Sequence, residues 1–350
     1  MKIVIVGDRI VSLELLEEAV RNLSVPEDIE IKSLIWETAD RPDFQKRAQN
    51  LEKNGPEAEE PPAGLIEAVA DADVLLVHFC PVARKVIEAG KNLKLIGTCR
   101  GGMEHVDVDA ATEKNIPVIH VIRNAEATSD FAIGLIFSET RNIARGHAAL
   151  KTGVWRKDYV NAGYTTTIRE MTLGLIGLGN IGKLVAEKAA AIGMKVLAHD
   201  PYVPQEKADS LGLKVRMTEK EEIFRSCDVV SLHMRATPET KNSIGSELLG
   251  MMKPTAYLIN TSRATIIDKE ALYEALNERR IGGAALDVFW DEPVPADDPM
   301  LSLDNLTMTP HLAGNVVDAL PKSPNLLVRT INKYWKEGNT EMVVNADKIS

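Results

Sequence analysis

Three polar residues in the second half of this 350-residue chain stand where chemistry could be done. Arg263 follows Leu258-Ile-Asn-Thr-Ser262, Glu292 follows Leu286-Asp-Val-Phe-Trp-Asp291, and His311 follows Met308-Thr-Pro310. Each comes directly after an apolar run that reads as a β-strand. A histidine gives and takes a proton near neutral pH. A carboxylate beside it favours the imidazolium and fixes the ring's orientation. An arginine grips a carboxylate through two parallel hydrogen bonds and polarises a neighbouring carbonyl. One of each suits a 2-hydroxy or 2-oxo acid. Taken singly, each has a plainer reading: a turn histidine, a Glu-Pro turn, a surface arginine. Their recurrence after three separate strands makes the catalytic reading the stronger one.

The elements that must position them begin with Thr172-Leu-Gly-Leu-Ile-Gly-Leu-Gly-Asn-Ile-Gly-Lys183. This segment predicts a short strand, a glycine turn and a helix running to about Ile192. Gly177, Gly179 and Gly182 form G-x-G-x-x-G: a tight turn, a close backbone approach to a pyrophosphate, and close helix–strand packing. The N–H groups and positive end of the helix suit a diphosphate. Lys195-Val-Leu-Ala-His-Asp200 reads as the next strand, and a carboxylate at its end accepts hydrogen bonds from a ribose 2′-hydroxyl and repels a 2′-phosphate. NAD is therefore expected over NADP. A glycine triplet alone is weak; strand, turn, helix, strand and aspartate in that order make a dinucleotide site. In doubly wound sheets ligands lie beyond the carboxyl ends of the strands. That edge is where Arg263, Glu292 and His311 fall, so hydride transfer between NAD and a secondary alcohol is the expected chemistry.

Bulk composition is that of a globular protein, 45% hydrophobic and 26% charged. A net charge of −10 without a basic face argues against nucleic acid as a partner. Cys80, Cys99 and Cys227 share no metal-ligand spacing and sit in or beside apolar strands; no metal is expected, and three cysteines suggest a reducing compartment. Neither a signal peptide nor an apolar run near the roughly 18 residues of a membrane span is visible. A cytoplasmic protein with no membrane partner is expected.

Further back, apolar runs at Lys2–Gly7, Ile29–Trp36, Asp73–Phe79 and Leu93–Cys99 alternate with helical patterns such as Leu13–Val20. Gly55 to Pro62 reads as an exposed acidic loop. Another strand is expected within Ile116–Val121, a long helix from about Ala125 to Thr152, and strands at Leu213–Val215, Asp228–Leu232, Ala256–Asn260, Ala284–Val288 and Leu306–Thr309. A helix at about Pro324–Lys336 would cross back to the first unit. The alternation predicts α/β architecture: a doubly wound Rossmann NAD domain, residues 105–315, inserted in a split substrate domain, residues 1–104 plus 316–350.

The chain resembles the D-2-hydroxyacid dehydrogenase family, most nearly its phosphoglycerate-dehydrogenase-like members. The resemblance rests on the glycine turn, Asn260-Thr-Ser-Arg-Ala-Thr-Ile-Ile-Asp268, Ala285-Leu-Asp-Val-Phe-Trp-Asp-Glu-Pro293, Thr309-Pro-His-Leu-Ala-Gly314 and Leu232-His-Met-Arg-Ala-Thr-Pro-Glu-Thr240. It implies a flavodoxin-like substrate domain and an NAD-dependent dehydrogenase. Arg263 would bind the substrate carboxylate, with His311 as acid/base paired to Glu292. Asn180 and Ile181 would meet the pyrophosphate through backbone N–H groups, and Asp200 the ribose. His233, Met234, Thr261, Ser262, Asp287 and Gly314 would line the cofactor, Asp287 on the nicotinamide carboxamide. The loop Cys99-Arg-Gly-Gly-Met-Glu104, with Arg100, Gly101 and Gly102, would cradle the substrate, and the helix after Asn124 would carry a homodimer contact. The chain departs from the family pattern at Ala264, Arg235, Asp130 and Arg100. Arg100 and Arg235 would suit a second anionic group such as a phosphate, as in 3-phosphoglycerate, or else be solvated or pair with Glu104 or Glu239. Ending at Ser350, the sequence leaves no room for C-terminal regulatory domains, so feedback by serine through one is not expected. A second reading is an NAD(H)-sensing, corepressor-like binding protein; a formate-dehydrogenase-like enzyme would need an amide where Glu292 stands.

Overall fold

The computed structural model describes residues 1–25 and 28–349. The chain divides into two compact units, Met1–Arg123 with Val316–Ser350, and Asn124–Asn315.

The first unit is built on β1 (Lys2–Gly7), β2 (Glu30–Ile35), β3 (Val74–Val77), β4 (Leu95–Thr98) and β5 (Val118–Ile119). All pair in parallel, in the order β2-β1-β3-β4-β5, the flavodoxin-like arrangement. β3 and β4 are buried along their whole length, as parallel strands covered on both faces must be. The helix Leu13–Val20 starts at Ser12, whose hydroxyl accepts from the Leu15 N–H, and it buries Leu16, Ala19 and Val20. The returning helix, Ala319–Glu337, buries Leu327, Val328 and Ile331 in the same core as Leu16 and Leu95. It begins five residues before the expected Pro324. Proline cannot donate to the carbonyl four residues back; here the Ser323 hydroxyl donates to the Leu320 carbonyl at 2.7 Å, and the helix runs through.

The expected boundary at residue 104 is corrected to residue 123. Residues 105–123 belong to the first unit because β5 pairs with β4 and is clamped from the tail: the Val118 N–H donates to Asn345 Oδ1 (3.0 Å), and the Val344 N–H to the Val118 carbonyl (2.8 Å). Gly55 to Pro62 is also less exposed than expected. It holds a 3-10 turn, Pro56–Ala58, and Glu59 takes hydrogen bonds from Arg47 and Asn50, both at 2.7 Å.

The second unit contains β6 (Thr172–Ile176), β7 (Lys195–His199), β8 (Arg216–Met217), β9 (Val229–Leu232), β10 (Tyr257–Asn260), β11 (Gly283–Leu286) and β12 (Leu306–Met308). The sheet is parallel throughout, ordered β12-β11-β10-β9-β6-β7-β8. Counted from β6 this is the Rossmann order, and it reverses direction between β6 and β9, the switch point where such sheets bind ligands. The strand expected at Leu213–Val215 lies instead at Arg216–Met217. The Leu213 N–H is taken by the Ala208 carbonyl at the end of the preceding helix, so pairing with β7 begins only at Arg216. The long helix expected over 125–152 is two, Ala125–Thr140 and Ile143–Lys151, separated at Asn142, whose φ of 56° no α-helix accommodates.

Packing at the core of this unit is tight around β6. A Cβ on Gly174 would collide with Ile223 and lie 2.8 Å from Cys227 Sγ. Gly174→Ala is expected to cost about 1–3 kcal/mol through overpacking, read as a lowered Tm in thermal unfolding.

Candidate active site

The carboxyl edge of the second sheet is assembled from loops after five strands. After β6, Gly177 has φ 97°, and a Cβ there would lie 2.8 Å from the His233 carbonyl carbon and the Met234 nitrogen, so the turn needs glycine. A Cβ on Gly182 would strike the Gly177 carbonyl. Gly179, by contrast, is exposed and faces open space. It is the N-cap of the helix Asn180–Ala191, and no side chain caps that end. The backbone N–H groups of Asn180 and Ile181 in the first turn thus stand ready for an anion.

Asp200, directly after β7, accepts from the Leu178 N–H at 2.8 Å through one oxygen and from the Tyr202 N–H at 2.9 Å through the other. The carboxylate is held against the glycine turn, and each oxygen keeps a lone pair. After β9, His233 donates its backbone N–H to Ile176 and shares a 2.9 Å hydrogen bond between Nε2 and Ser231 Oγ. Its Nδ1 is buried without a partner, and burial pushes the ring down to about 4, so it is neutral. Met234, beside it, packs half-buried on the core.

The loop after β10 is braced by Asn260. Its Oδ1 accepts from the Ser262 N–H (2.9 Å) and hydroxyl (2.8 Å), and its Nδ2 donates to the Arg263 carbonyl (3.0 Å). Ser262 is thus a brace of this loop, a role its sequence position did not disclose. Thr261 Oγ1 is buried with no partner, an orphan hydroxyl of the kind a bound ligand satisfies. The Arg263 side chain is exposed, its Nη1 donating to the Ser262 carbonyl at 2.7 Å.

Asp287, after β11, is completely buried. It accepts from Thr309 Oγ1 (2.6 Å), the Leu312 N–H (2.9 Å) and the Ala313 N–H (2.8 Å). These donors flank His311, whose φ of 54° lies in the left-handed region, uncommon for a residue other than glycine. The Asp287 carboxylate thus anchors the histidine loop from within. Asp287→Ala would strand three donors in the interior and is expected to cost about 3 kcal/mol, measured by denaturant unfolding. Gly314 closes the loop against Asn124, whose Nδ2 would lie 3.0 Å from an added Cβ.

His311 and Glu292 meet as the sequence suggested. His311 Nδ1 lies 2.8 Å from Glu292 Oε2, while Glu292 Oε1 accepts from the Phe289 N–H at 3.0 Å. Both side chains are solvent-accessible. The His311 hydrogen bond, the Phe289 N–H and the nearby Arg263 charge hold the Glu292 carboxyl below the ordinary glutamate value. A depressed carboxyl stays ionised through neutral pH, and the pair is lost only as pH falls through that lowered value.

At the carboxyl edge of the first sheet, Arg100 contradicts its expected place as a substrate ligand. Its side chain is only 8% exposed, with Nη2 2.7 Å from Glu52 Oε1 and 3.6 Å from Glu104 Oε2. The guanidinium lies flat on Phe79, 3.7 Å from the ring centroid. Pairing with Glu104 was foreseeable at i,i+4 spacing; Glu52, 48 residues away, carried no signal. Gly101 is exposed, with its carbonyl oxygen 2.9 Å from His120 Nδ1; Gly102 lies under the Glu104 carboxylate. Arg235 is exposed, and Asp130 pairs with Lys188 at 2.7 Å.

The profile of the D-isomer specific 2-hydroxyacid dehydrogenase NAD binding domain matches residues 133–313, slightly more than half of the chain. The chain belongs to the D-isomer specific 2-hydroxyacid dehydrogenase family. It is 39% identical over 288 residues to the D-3-phosphoglycerate dehydrogenase of Methanocaldococcus jannaschii, covering 81% of this chain and 54% of that protein. It is 36% identical over 278 residues to the hydroxypyruvate reductase of Thermotoga maritima, covering 78% of this chain and 87% of that one. The chain spans about half the length of the phosphoglycerate dehydrogenases it matches, 54% and 46% for two of them. The NAD-complexed D-isomer specific 2-hydroxyacid dehydrogenase of Lactobacillus delbrueckii ssp. bulgaricus has the same fold, with a TM-score of 0.69 at 21% identity over 99% of this chain and all of that one. The family's cofactor, NAD, fits the residues present: an open glycine, an uncapped helix end, a ribose-ready carboxylate and an orphan threonine hydroxyl. Among the described residues no helix is long and apolar enough to cross a membrane.

Proposed function

We propose that this family member is an NAD-dependent dehydrogenase interconverting a small D-2-hydroxy acid and its 2-oxo acid. The observation that carries this reading is the 2.8 Å contact between His311 and Glu292 on the sheet edge that also bears the dinucleotide turn. When bound, NAD supplies a nicotinamide that gives or takes a hydride. The N–H groups of Asn180 and Ile181 would hold its pyrophosphate and Asp200 its adenosine ribose, with Thr261, His233 and Met234 lining the rest. Arg263 pairs with the substrate carboxylate through two parallel hydrogen bonds and draws electron density from the adjacent carbonyl. His311 delivers a proton from Nε2 to the carbonyl oxygen as it becomes a hydroxyl, and removes it in the reverse direction. Glu292, ionised and aimed at Nδ1, stabilises the imidazolium and keeps Nε2 pointing outward. Asp287 fixes the loop on which that geometry depends.

Oxidation of NADH at 340 nm with glyoxylate, hydroxypyruvate and related 2-oxo acids tests the reading. Turnover with at least one of them is expected; tight NADH binding without turnover on any would instead favour a sensor.

A homodimer is also proposed. The helix Ile143–Lys151 buries none of its residues, and Ile143 (57%), Leu150 (57%), Val154 (53%) and Trp155 (77%) are exposed along and just after it. Such a clustered apolar strip marks an interaction surface, and the family resemblance makes a second copy its occupant. Trp155→Glu is expected to shift sedimentation from dimer toward monomer; an unchanged sedimentation coefficient removes this interface.

A further inference from the structure

Asp200 stands where a ribose is expected, yet both oxygens of its carboxylate already accept from backbone N–H groups. We propose that Asp200 is a positioning residue for the glycine turn. It sets the turn in its cofactor-binding shape before any dinucleotide arrives, and so supports binding even where no ribose hydroxyl touches it. This role is additional to ribose recognition and rests on the family's cofactor, NAD, with no part taken by the acid substrate. Every residue involved lies in the second unit.

The turn is clasped at two consecutive amides. The Gly177 N–H donates to the His199 carbonyl at 2.8 Å, and the Leu178 N–H donates to Asp200 Oδ2 at 2.8 Å. The first contact continues the pairing of β6 with β7 and comes with the sheet. The second depends on one side chain. On the other flank the His233 N–H donates to the Ile176 carbonyl at 2.8 Å, and that loop lies so close that Gly177 has no room for a Cβ. The Asp200 side chain is itself held. Its Oδ1 accepts from the Tyr202 N–H at 2.9 Å, two residues on, which makes an Asx turn. One oxygen thus faces the chain that follows, while the other reaches across to Leu178. Two N–H donors, one on each oxygen, are matched by a carboxylate and not by an amide, whose NH2 would face one of them. The backbone therefore demands aspartate here, apart from anything a ribose requires.

Leu178 is wholly buried, its side chain in the same core as Leu175 and Val185. Its N–H reaches water only if that side chain is lifted, so truncating Asp200 leaves a stranded donor. The turn relieves that donor by moving, and only the molecules that keep the original bend are ready for a pyrophosphate. Apparent affinity falls by their fraction. The amides of Asn180 and Ile181 come next, at the start of the helix Asn180–Ala191, which no side chain caps. The bend at Leu178 therefore decides where they point. A loss of this kind is blind to the ribose, whereas a contact between carboxylate and ribose vanishes with the ribose hydroxyls.

The test titrates the full chain by fluorescence with NADH and with its analogue lacking both hydroxyls of the adenosine ribose. Asp200→Ala is expected to weaken binding of the analogue about tenfold, the equivalent of one stranded donor. Asp200→Asn keeps one acceptor, and its affinity for the analogue is expected to fall between those of the parent and Asp200→Ala. Affinities for the analogue within about twofold of one another across the three proteins confine Asp200 to the ribose and overturn the proposal. Amide exchange in the cofactor-free proteins, followed by NMR, supplies a second measurement. The Leu178 amide is expected to exchange about tenfold faster in Asp200→Ala than in the parent, with Asp200→Asn again between them. An unchanged rate in both variants overturns the proposal, because a ribose contact has no effect where no ribose is present. A parent that binds neither ligand would count against the cofactor instead, and the exchange rates would still decide the role of Asp200.

Discussion

Arg263→Ala is expected to lower kcat/KM for the 2-oxo acid about a thousandfold while NADH affinity, measured by fluorescence titration, changes little. Removing one partner of a close charge pair costs about 2–5 kcal/mol, and each 1.4 kcal/mol is a factor of ten. The loss is large because Arg263 has two duties in the proposed reaction, gripping the carboxylate and polarising the carbonyl. It should also be specific. The Arg263 side chain is exposed and donates internally to the carbonyl of the residue just before it, so the fold does not depend on it. Arg263→Lys keeps the charge but loses the planar fork, and recovery of only part of the activity is expected. A thermally intact Arg263→Ala protein with normal kcat/KM would remove the carboxylate grip from the mechanism.

His311→Ala is expected to reduce kcat by about 10²–10⁴, the usual contribution of a positioned acid/base, again with NADH binding preserved. The imidazole is half exposed and pairs with a Glu292 that is also solvent-accessible, so little stability goes with it. The same substitution has a second readout. His311 is the largest cause of the depressed Glu292 carboxyl, so without it that carboxyl should titrate closer to the ordinary glutamate value, followed by NMR. Full activity in His311→Ala would end the proposed proton transfer.

Much of the second unit could be read from local rules. The turn at Gly177 needs positive φ, and the helix behind it needs a bare Gly182, so the glycine spacing is a statement about backbone geometry. The apolar runs of β6, β7 and β9 to β12 announce themselves because strands covered on both faces carry little else. Elements whose limits depend on capping or pairing were less legible. The start of β8 follows from a helix-end hydrogen bond to the Leu213 N–H, and the break at Asn142 from one residue's φ. The helix through Pro324 persists because a neighbouring serine supplies the missing donor.

The sequence by itself determined the family, the glycine turn with Asp200 beside it, and the pairing of Glu292 with His311, because each is encoded by residue type at a strand end and needs only the parallel sheet to align it. Tertiary structure alone decided which groups Asp287 and Arg100 touch. Asp287 is an anchor because β11 and β12 lie side by side and bring the His311 loop onto its carboxylate. Arg100 faces Glu52 because a helix 48 residues upstream sets that carboxylate against it. Whether a charged group faces a ligand or a neighbour depends on which distant element covers it, and that is fixed by packing rather than by spacing along the chain.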